Sequence, residues 1–292
     1  MNGITGRTGL IGVFGHPVAH SLSPVMHNAA IMEMGLDYVY LAFDVDPLCL
    51  AQAVEGIRAL GMVGINVTIP HKEGVAALLD DVSAEASLIG SVNTIVNRNG
   101  RLLGETTDGL GFLRALVETA GDVRGKRAVV IGAGGSARAV LHALITNGVT
   151  VTMLNRTRER GEKLASEMNA ITGSETVQAG SLSTDSLKKA LPDADLLVNC
   201  TSVGMWPRAD ESPCPAELLR PGLAVYDLVY NPLRTRLLWD AEKAGATPIS
   251  GLKMLVSQGA ASFRMWTGFH PPVEVMQRAA SAWLVERQAQ EG

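Results

Sequence analysis

The sequence predicts an α/β fold: an amino-terminal α/β domain, then a doubly wound, Rossmann-like parallel sheet, with the final helices packing back across both. Three observations lead there. At 292 residues the chain is about twice the length of one ordinary domain. Short β-like runs alternate with helical stretches from end to end. A glycine-rich turn, Gly132 to Ala137, stands directly between an apolar run and a helix-forming one.

In the first half, Leu10–Phe14, Tyr38–Val45, Gly64–Ile69 and Val92–Val96 read as strands. Ala29–Met34, Ala51–Leu60 and Gly74–Leu79 read as the helical stretches between them. Asn99-Gly100 suits a tight turn with positive φ at both central residues, so it closes a hairpin onto Arg101–Gly104. A helix from about Gly109 to Thr119 stops at Gly121. Past the polar connection Asp122–Lys126 come the strand Arg127–Ile131, the helix Ala137–Asn147, the strand Val151–Leu154 and a helix near Glu159–Met168. Leu196–Val198 and Ala224–Tyr226 are further buried strands. This βαβ alternation implies a parallel sheet with helices on both faces. Met254–Thr267 and Pro272–Gln288 read as the closing helices.

Composition narrows the function. Hydrophobic residues at 47% against 18% charged mark a packed globular protein, and each half is long enough to bury its own core. The net charge of −4 comes without any like-charge block, so no stripe for nucleic acid or patch for a membrane surface is expected. Cys49, Cys200 and Cys214 are scattered and odd in number, the usage of a reducing compartment. Met1–Gly9 lacks an apolar signal core, and no apolar run approaches the ~18 residues of a membrane span. A cytoplasmic enzyme is the expectation.

Gly132-Ala133-Gly134-Gly135-Ser136-Ala137 spells G-x-G-x-x-A between a strand and a helix. Gly132 permits the tight turn, Gly134 lets the backbone approach a pyrophosphate, and Ala137 lets helix and strand pack closely. The helix N-terminus supplies amides and partial positive charge. About 20 positions further on, where an NAD enzyme carries an acid for the ribose hydroxyl, this chain has neutral Asn155, followed by Arg156, Thr157, Arg158 and Arg160. Guanidinium groups bind a 2′-phosphate that a carboxylate would repel, so NADP(H) is the expected cofactor.

In the first half, polar groups gather at element ends. In Ser21-Leu22-Ser23-Pro24, Pro24 suits the first helical position and Ser23 the N-cap; capping explains Ser23 but not Ser21, and two hydroxyls there suit a carboxylate. Asn66 and Thr68 share one strand face, which is either a site or a solvent-facing edge. Lys72, in Pro70-His71-Lys72, falls at an expected helix start, where a cation is disfavoured. Asp108 precedes a helix and reads equally as an N-cap. His16, His20 and His27 lack the carboxylate or cysteine that would complete a ligand set, so no metal is expected.

Nine collinear segments carry a resemblance: Gly15-His16-Pro17-Val18-Ala19-His20-Ser21-Leu22-Ser23-Pro24, Asn66-Val67-Thr68-Ile69-Pro70-His71-Lys72, Val92-Asn93-Thr94, Thr107-Asp108-Gly109, Gly132–Ala137, Asn155-Arg156-Thr157, Asn199–Met205, Asp227–Pro232 and Gly251–Ala260. The chain resembles the shikimate dehydrogenase family along nearly its whole length. The resemblance implies a substrate domain of residues 1–108 joined by helices from about 252 to 292, hinged across a cleft to an NADP domain of 109–251. It implies Lys72 and Asp108 as the catalytic pair. Ser21, Ser23 and Tyr230 would bind the substrate carboxylate, with Asn66, Thr68, Asn93, Thr107 and Gln258 around the ring hydroxyls. Thr201, Leu228 and Gly251 would join the fingerprint and arginine segment at the cofactor. One position departs: Thr106 stands where the family reads Asn in G-x-N-T-D-G.

The activity so implied is reversible NADPH-dependent reduction of 3-dehydroshikimate to shikimate, an oxidoreductase reaction at a CH–OH group in chorismate and aromatic amino-acid biosynthesis. The partner would be that small molecule, and the enzyme a monomer or homodimer. Alternatives are a quinate/shikimate dehydrogenase using NAD or NADP, an aminoshikimate-type enzyme, and a non-catalytic NADP-binding sensor on the same fold.

Overall fold

The computed structural model describes residues 3–173 and 175–291, with side chains through 287. Met1 and Asn2, which open the segment read as lacking a signal core, lie outside the described residues. The chain divides into two units. One takes in the described residues of Met1–Asp108 and Val256–Trp283, the other those of Gly109–Leu255 and Leu284–Gly292.

The first unit runs β1 (Gly9–Gly15), α1 (Ser23–Glu33), β2 (Tyr38–Asp44), α2 (Leu50–Ala59), β3 (Gly64–Val67), β4 (Asp81–Val82), α3 (Ala84–Ile89), β5 (Thr94–Arg98) and β6 (Arg101–Glu105). Its strands form one sheet in the order β2-β1-β3-β5-β6-β4. β1 pairs parallel with β2 and β3, whereas β5 is antiparallel to β3 and β6. Asn99 and Gly100 take φ of 55° and 89° and close the β5–β6 hairpin, the positive-φ turn their identities predict. One face of this sheet buries Phe14, Ile65, Val67, Ile95 and Leu102 against Val54 and Ile57 of α2.

α4 (Asp108–Ala120) leads into the second unit, which continues β7 (Arg127–Ile131), α5 (Gly135–Thr146), β8 (Thr150–Asn155), α6 (Arg158–Thr172), β9 (Val177–Ser181), α7 (Thr184–Ala190), β10 (Leu196–Asn199), β11 (Ala224–Asp227), α8 (Arg236–Lys243) and β12 (Thr247–Ser250). α9 (Gly251–Thr267) and α10 (Val273–Glu291) follow. The six strands are all parallel, in the order β12-β11-β10-β7-β8-β9. Counted from β7 this is the doubly wound order, whose direction reverses between β7 and β10. Both faces are buried: Ala128 and Val130 of β7 pack on one side, Val129 and Ile131 on the other. That two-sided burial explains why these strands are continuous apolar runs in the sequence.

Four elements of the second unit and two of the first fall outside the expectations above: β9, α7, α8, β12, β4 and α3. Their caps are visible in hindsight. The hydroxyls of Ser83, Ser183 and Thr235 accept from the backbone N–H three residues on, at 3.3, 3.1 and 3.3 Å.

Candidate active site

Sheet polarity gathers the polar residues of the first unit at one edge. β1, β3 and β6 end there and β5 begins there, so Gly15 to Ser23, Thr68 to Lys72, Asn93 and Thr106 to Asp108 all emerge at one place.

At that edge Lys72 Nζ donates to Asp108 Oδ2. The two side chains are only 12% and 5% exposed, so the pair sits where charge is weakly screened. Asp108 Oδ1 accepts from Asn93 Nδ2 at 2.8 Å. With both oxygens taken by side chains, the carboxylate is an ion-pair partner in the first turn of α4, not a cap. Lys72 does not open a helix: the α-helix expected after it is a single 3₁₀ turn, Val75–Leu78. The argument from an opposing helix dipole therefore falls. The lysine is set by a turn in which His71 N–H donates to the Thr68 carbonyl at 2.9 Å. The Lys72 carbonyl accepts from Val92 N–H at 2.9 Å, and the buried His71 ring is held at 2.8 Å from the Val45 carbonyl.

Around the pair lies a buried polar network. Asn93 Oδ1 accepts from Thr107 N–H at 2.8 Å, and Asn93 Nδ2 also reaches Thr107 Oγ1 at 2.9 Å and Gln258 Oε1 at 3.1 Å. Asn66 Nδ2 faces the Asn93 carbonyl and Ser262 Oγ, each at 3.1 Å. The structure thus brings Asn66, Lys72, Asn93, Thr107, Asp108 and Gln258 into contact. Ser21 and Ser23 lie at the entry of α1, but Ser23 is not its N-cap. Leu22 holds that position without a side-chain bond, Ser23 begins the helix, and Ser21 Oγ accepts from Ser23 N–H at 3.3 Å. Thr68 follows β3, its N–H donating to the Phe14 carbonyl at 2.9 Å. Tyr230 belongs to the second unit. Thr106 is buried, and its hydroxyl has no hydrogen-bond partner among the described residues.

In the second unit, the residues after β7 and β10 meet at the point where strand order reverses. Gly132 has φ +105°, and a Cβ there would stand 2.9 Å from Thr201 Cγ2 and 3.2 Å from the Cys200 backbone, so only glycine fits. Gly134 precedes α5 in extended conformation, and the place its Cβ would fill is open. No side chain caps α5 and no acid occupies its first turn. Past Ala133, the amides of Gly135, Ser136 and Ala137 are thus unblocked by any capping side chain, which fits a dinucleotide pyrophosphate. At the end of β8, Asn155 Nδ2 donates to the Thr157 carbonyl at 2.7 Å. Arg156 and Arg160 are exposed, and Arg156 has no ion-pair partner among the described residues. Arg158, one of the three arginines, is held by Glu162 at 2.7 Å. This donor set suits a 2′-phosphate.

Sequence reasoning missed the support beneath that site. Asp227, fully buried at the end of β11, accepts from Asn199 Nδ2 at 2.9 Å, Val229 N–H at 3.0 Å and Thr235 Oγ1 at 2.6 Å. Asn199 Oδ1 in turn accepts from the Thr201 hydroxyl at 2.7 Å and its N–H at 3.0 Å. Burial pushes the Asp227 carboxyl up to about 6 despite these bonds. Gly251 is pressed to the Leu228 carbonyl, where a Cβ would approach to 2.3 Å, so packing alone demands glycine there.

Comparisons with known proteins agree with this geometry. Residues 13–95 match the shikimate dehydrogenase substrate binding domain, residues 115–205 the shikimate / quinate 5-dehydrogenase family, and residues 251–280 the shikimate 5′-dehydrogenase C-terminal domain. The chain is 53% identical over 279 residues to a shikimate dehydrogenase (NADP(+)) of Methanopyrus kandleri, covering 94% of this chain and 96% of that one. Among solved structures, a shikimate dehydrogenase in complex with NADP+ superposes with a TM-score of 0.92 at 45% identity, covering 96% of this chain and 97% of the other. A shikimate 5-dehydrogenase of Thermus thermophilus, in complex with NADP(H) and shikimate, gives 0.84 at 43% identity, covering 94% and 99%.

Proposed function

We propose, from the premise that the chain belongs to the shikimate dehydrogenase family, that it reduces 3-dehydroshikimate to shikimate with NADPH and catalyses the reverse oxidation. The observation that carries this reading is the nearly buried Lys72–Asp108 pair inside a network of neutral donors.

Bound NADPH supplies the hydride. As the carbonyl carbon receives it, negative charge develops on the oxygen, and a group aimed at that charge lowers the barrier more than one aimed at the ground state. Lys72 holds a proton at Nζ, stabilises the oxygen and gives it the proton. Asp108 keeps Lys72 aimed and takes a substrate hydroxyl. Ser21 and Ser23 hold the carboxylate, while Thr68, Asn93, Thr107 and Gln258 orient the ring hydroxyls. Gly132, Gly134 and the first amides of α5 hold the pyrophosphate, and Asn155, Arg156, Thr157 and Arg160 take the 2′-phosphate. The three cysteines are free, and we place the enzyme in the cytoplasm, acting on a small molecule as a monomer or homodimer.

The test follows reduced-nicotinamide absorbance with shikimate or quinate and NADP+ or NAD+. Rapid oxidation of shikimate by NADP+ alone is expected. Comparable rates with quinate or NAD+ would overturn the assigned preference, and no oxidation of shikimate would overturn the activity.

A further inference from the structure

A hydrogen-bond chain of single direction runs through the first unit, and it starts at a residue with no role so far. Tyr40, in β2, is fully buried, its ring stacked on His27 with 4.3 Å between centroids. Its hydroxyl lies 2.7 Å from Asn66 Oδ1. The orientation of Asn66 is forced: its Nδ2 faces the Asn93 carbonyl, which can only accept, so Oδ1 faces Tyr40 and the phenol donates. The orientation of Asn93 is forced likewise, because Thr107 N–H can only donate to its Oδ1, leaving Nδ2 for Asp108.

Between these amides the hydroxyl protons follow. Thr94 Oγ1 donates to Asn93 Oδ1 at 3.0 Å, so the 2.7 Å contact of Thr94 with Ser262 is Ser262 donating. The alternative acceptors for the Ser262 proton, the Gln258 carbonyl and Thr107 Oγ1, are longer at 3.2 and 3.3 Å. Ser262 Oγ then accepts from Asn66 Nδ2. Along the path Tyr40–Asn66–Ser262–Thr94–Asn93, one proton at each link points toward Asp108.

We infer that Tyr40 is a positioning residue of the substrate site, its hydroxyl setting the direction of the chain Tyr40–Asn66–Ser262–Thr94–Asn93 that ends on Asp108 and so holds the Lys72–Asp108 pair in place. The inference rests on the functional reading above. Without the hydroxyl, Asn66 Oδ1 is a buried acceptor with no donor, and flipping the amide turns that oxygen onto the Asn93 carbonyl. Either outcome loosens Asn93. Asn66, with both donors engaged inside the protein, acts through Asn93.

The test is Tyr40→Phe, which keeps the ring on His27 and removes one oxygen. For shikimate, kcat/KM is expected to fall about tenfold while the KM for NADP+ stays within about twofold. Tyr40→Phe combined with Ser262→Ala is expected to lose little beyond Ser262→Ala alone, because both cut one chain. In the ligand-free protein, exchange of the Asn93 side-chain amide protons, read by NMR, is expected to quicken about tenfold in Tyr40→Phe. Unchanged shikimate kinetics, additive losses, or an equal rise in the KM for NADP+ would overturn the inference. If the wild-type chain does not oxidise shikimate, the functional reading fails separately, and the Asn93 exchange decides: no change overturns the role of Tyr40.

Discussion

Asn93 donates from Nδ2 to Asp108 Oδ1 at 2.8 Å, and the Thr107 N–H at its Oδ1 permits no other orientation. Asp108 is thereby held on both oxygens, by a neutral amide on one and by Lys72 on the other. Asn93→Asp changes little shape but sets a second carboxylate against the first, and two buried like charges at this distance do not both ionise. Shikimate kcat/KM is expected to fall about a hundredfold or more in steady-state assays, with NADP+ binding by fluorescence titration unaltered. A loss under about threefold would remove Asn93 from the machinery that positions Asp108.

Lys72→Met keeps the length of the stem and deletes the charge. An enzyme using Lys72 against developing oxyanion charge is expected to lose about 10²–10⁴ in kcat. The second unit, which carries the fingerprint, is expected to bind NADP+ as before. Full turnover in this variant would remove Lys72 from the chemical step, whereas a wild-type chain that binds NADP+ and turns over nothing would be the non-catalytic sensor.

How much of this was legible in the sequence depended on whether the signal was local. The strand–turn–helix around Gly132 was, because β7 is buried on both faces and reads as a plain apolar run. β9 and β12 were not. They are the edges of the sheet, and Val177–Ser181 and Thr247–Ser250 carry Gln, Gly, Ser and Pro that a two-faced strand would exclude. Lys72 and Asp108 were singled out through their motifs, and the structure pairs their side chains, although the helix placed at Lys72 was a turn. Tyr40, Ser262, Asn199 and Asp227 were missed because their meaning lies in partners distant along the chain. Asn66 and Ser262, for instance, are 196 positions apart and 3.1 Å distant.

Arg156 stands exposed after β8 with no ion-pair partner among the described residues, while Arg158 is tied to Glu162. Arg156→Ala is expected to raise the KM for NADP+ by about 10- to 100-fold, the worth of one or two charge-assisted hydrogen bonds to phosphate. The KM for NAD+, which has no phosphate there, is expected to move by less than about twofold. Arg158→Ala serves as the control and is expected to change neither strongly. Equal losses for both cofactors would show that Arg156 is not reading the phosphate.

Thr106 buries a hydroxyl with no partner among the described residues, where the family reads Asn. An unpaired buried hydroxyl is a cost, and Thr106→Val replaces it at nearly constant shape. Denaturant unfolding is expected to show a gain of up to about 1 kcal/mol, with shikimate kinetics within about twofold. A loss of kcat/KM beyond about tenfold would instead give the hydroxyl a ligand.

Asp227 ties Asn199, and through it Thr201, to Val229 and Thr235, at the cost of a buried charge. Its carboxyl titrates at about 6 in the folded chain, against 3.8 ordinarily. Between those values the folded state keeps a proton that the unfolded state has released, so stability falls as pH rises. The contribution is full below about 4 and gone above about 6, for a total of about 3 kcal/mol. Asp227→Asn cannot titrate, yet it still offers Oδ1 to Asn199 and Val229. Urea unfolding of wild type and variant across pH 4 to 7 is expected to show the difference between them changing by about that amount, in the variant's favour as pH rises. A difference that stays flat, or that grows in favour of the wild type, would mean that Asp227 is ionised throughout and that its three donors outweigh its burial.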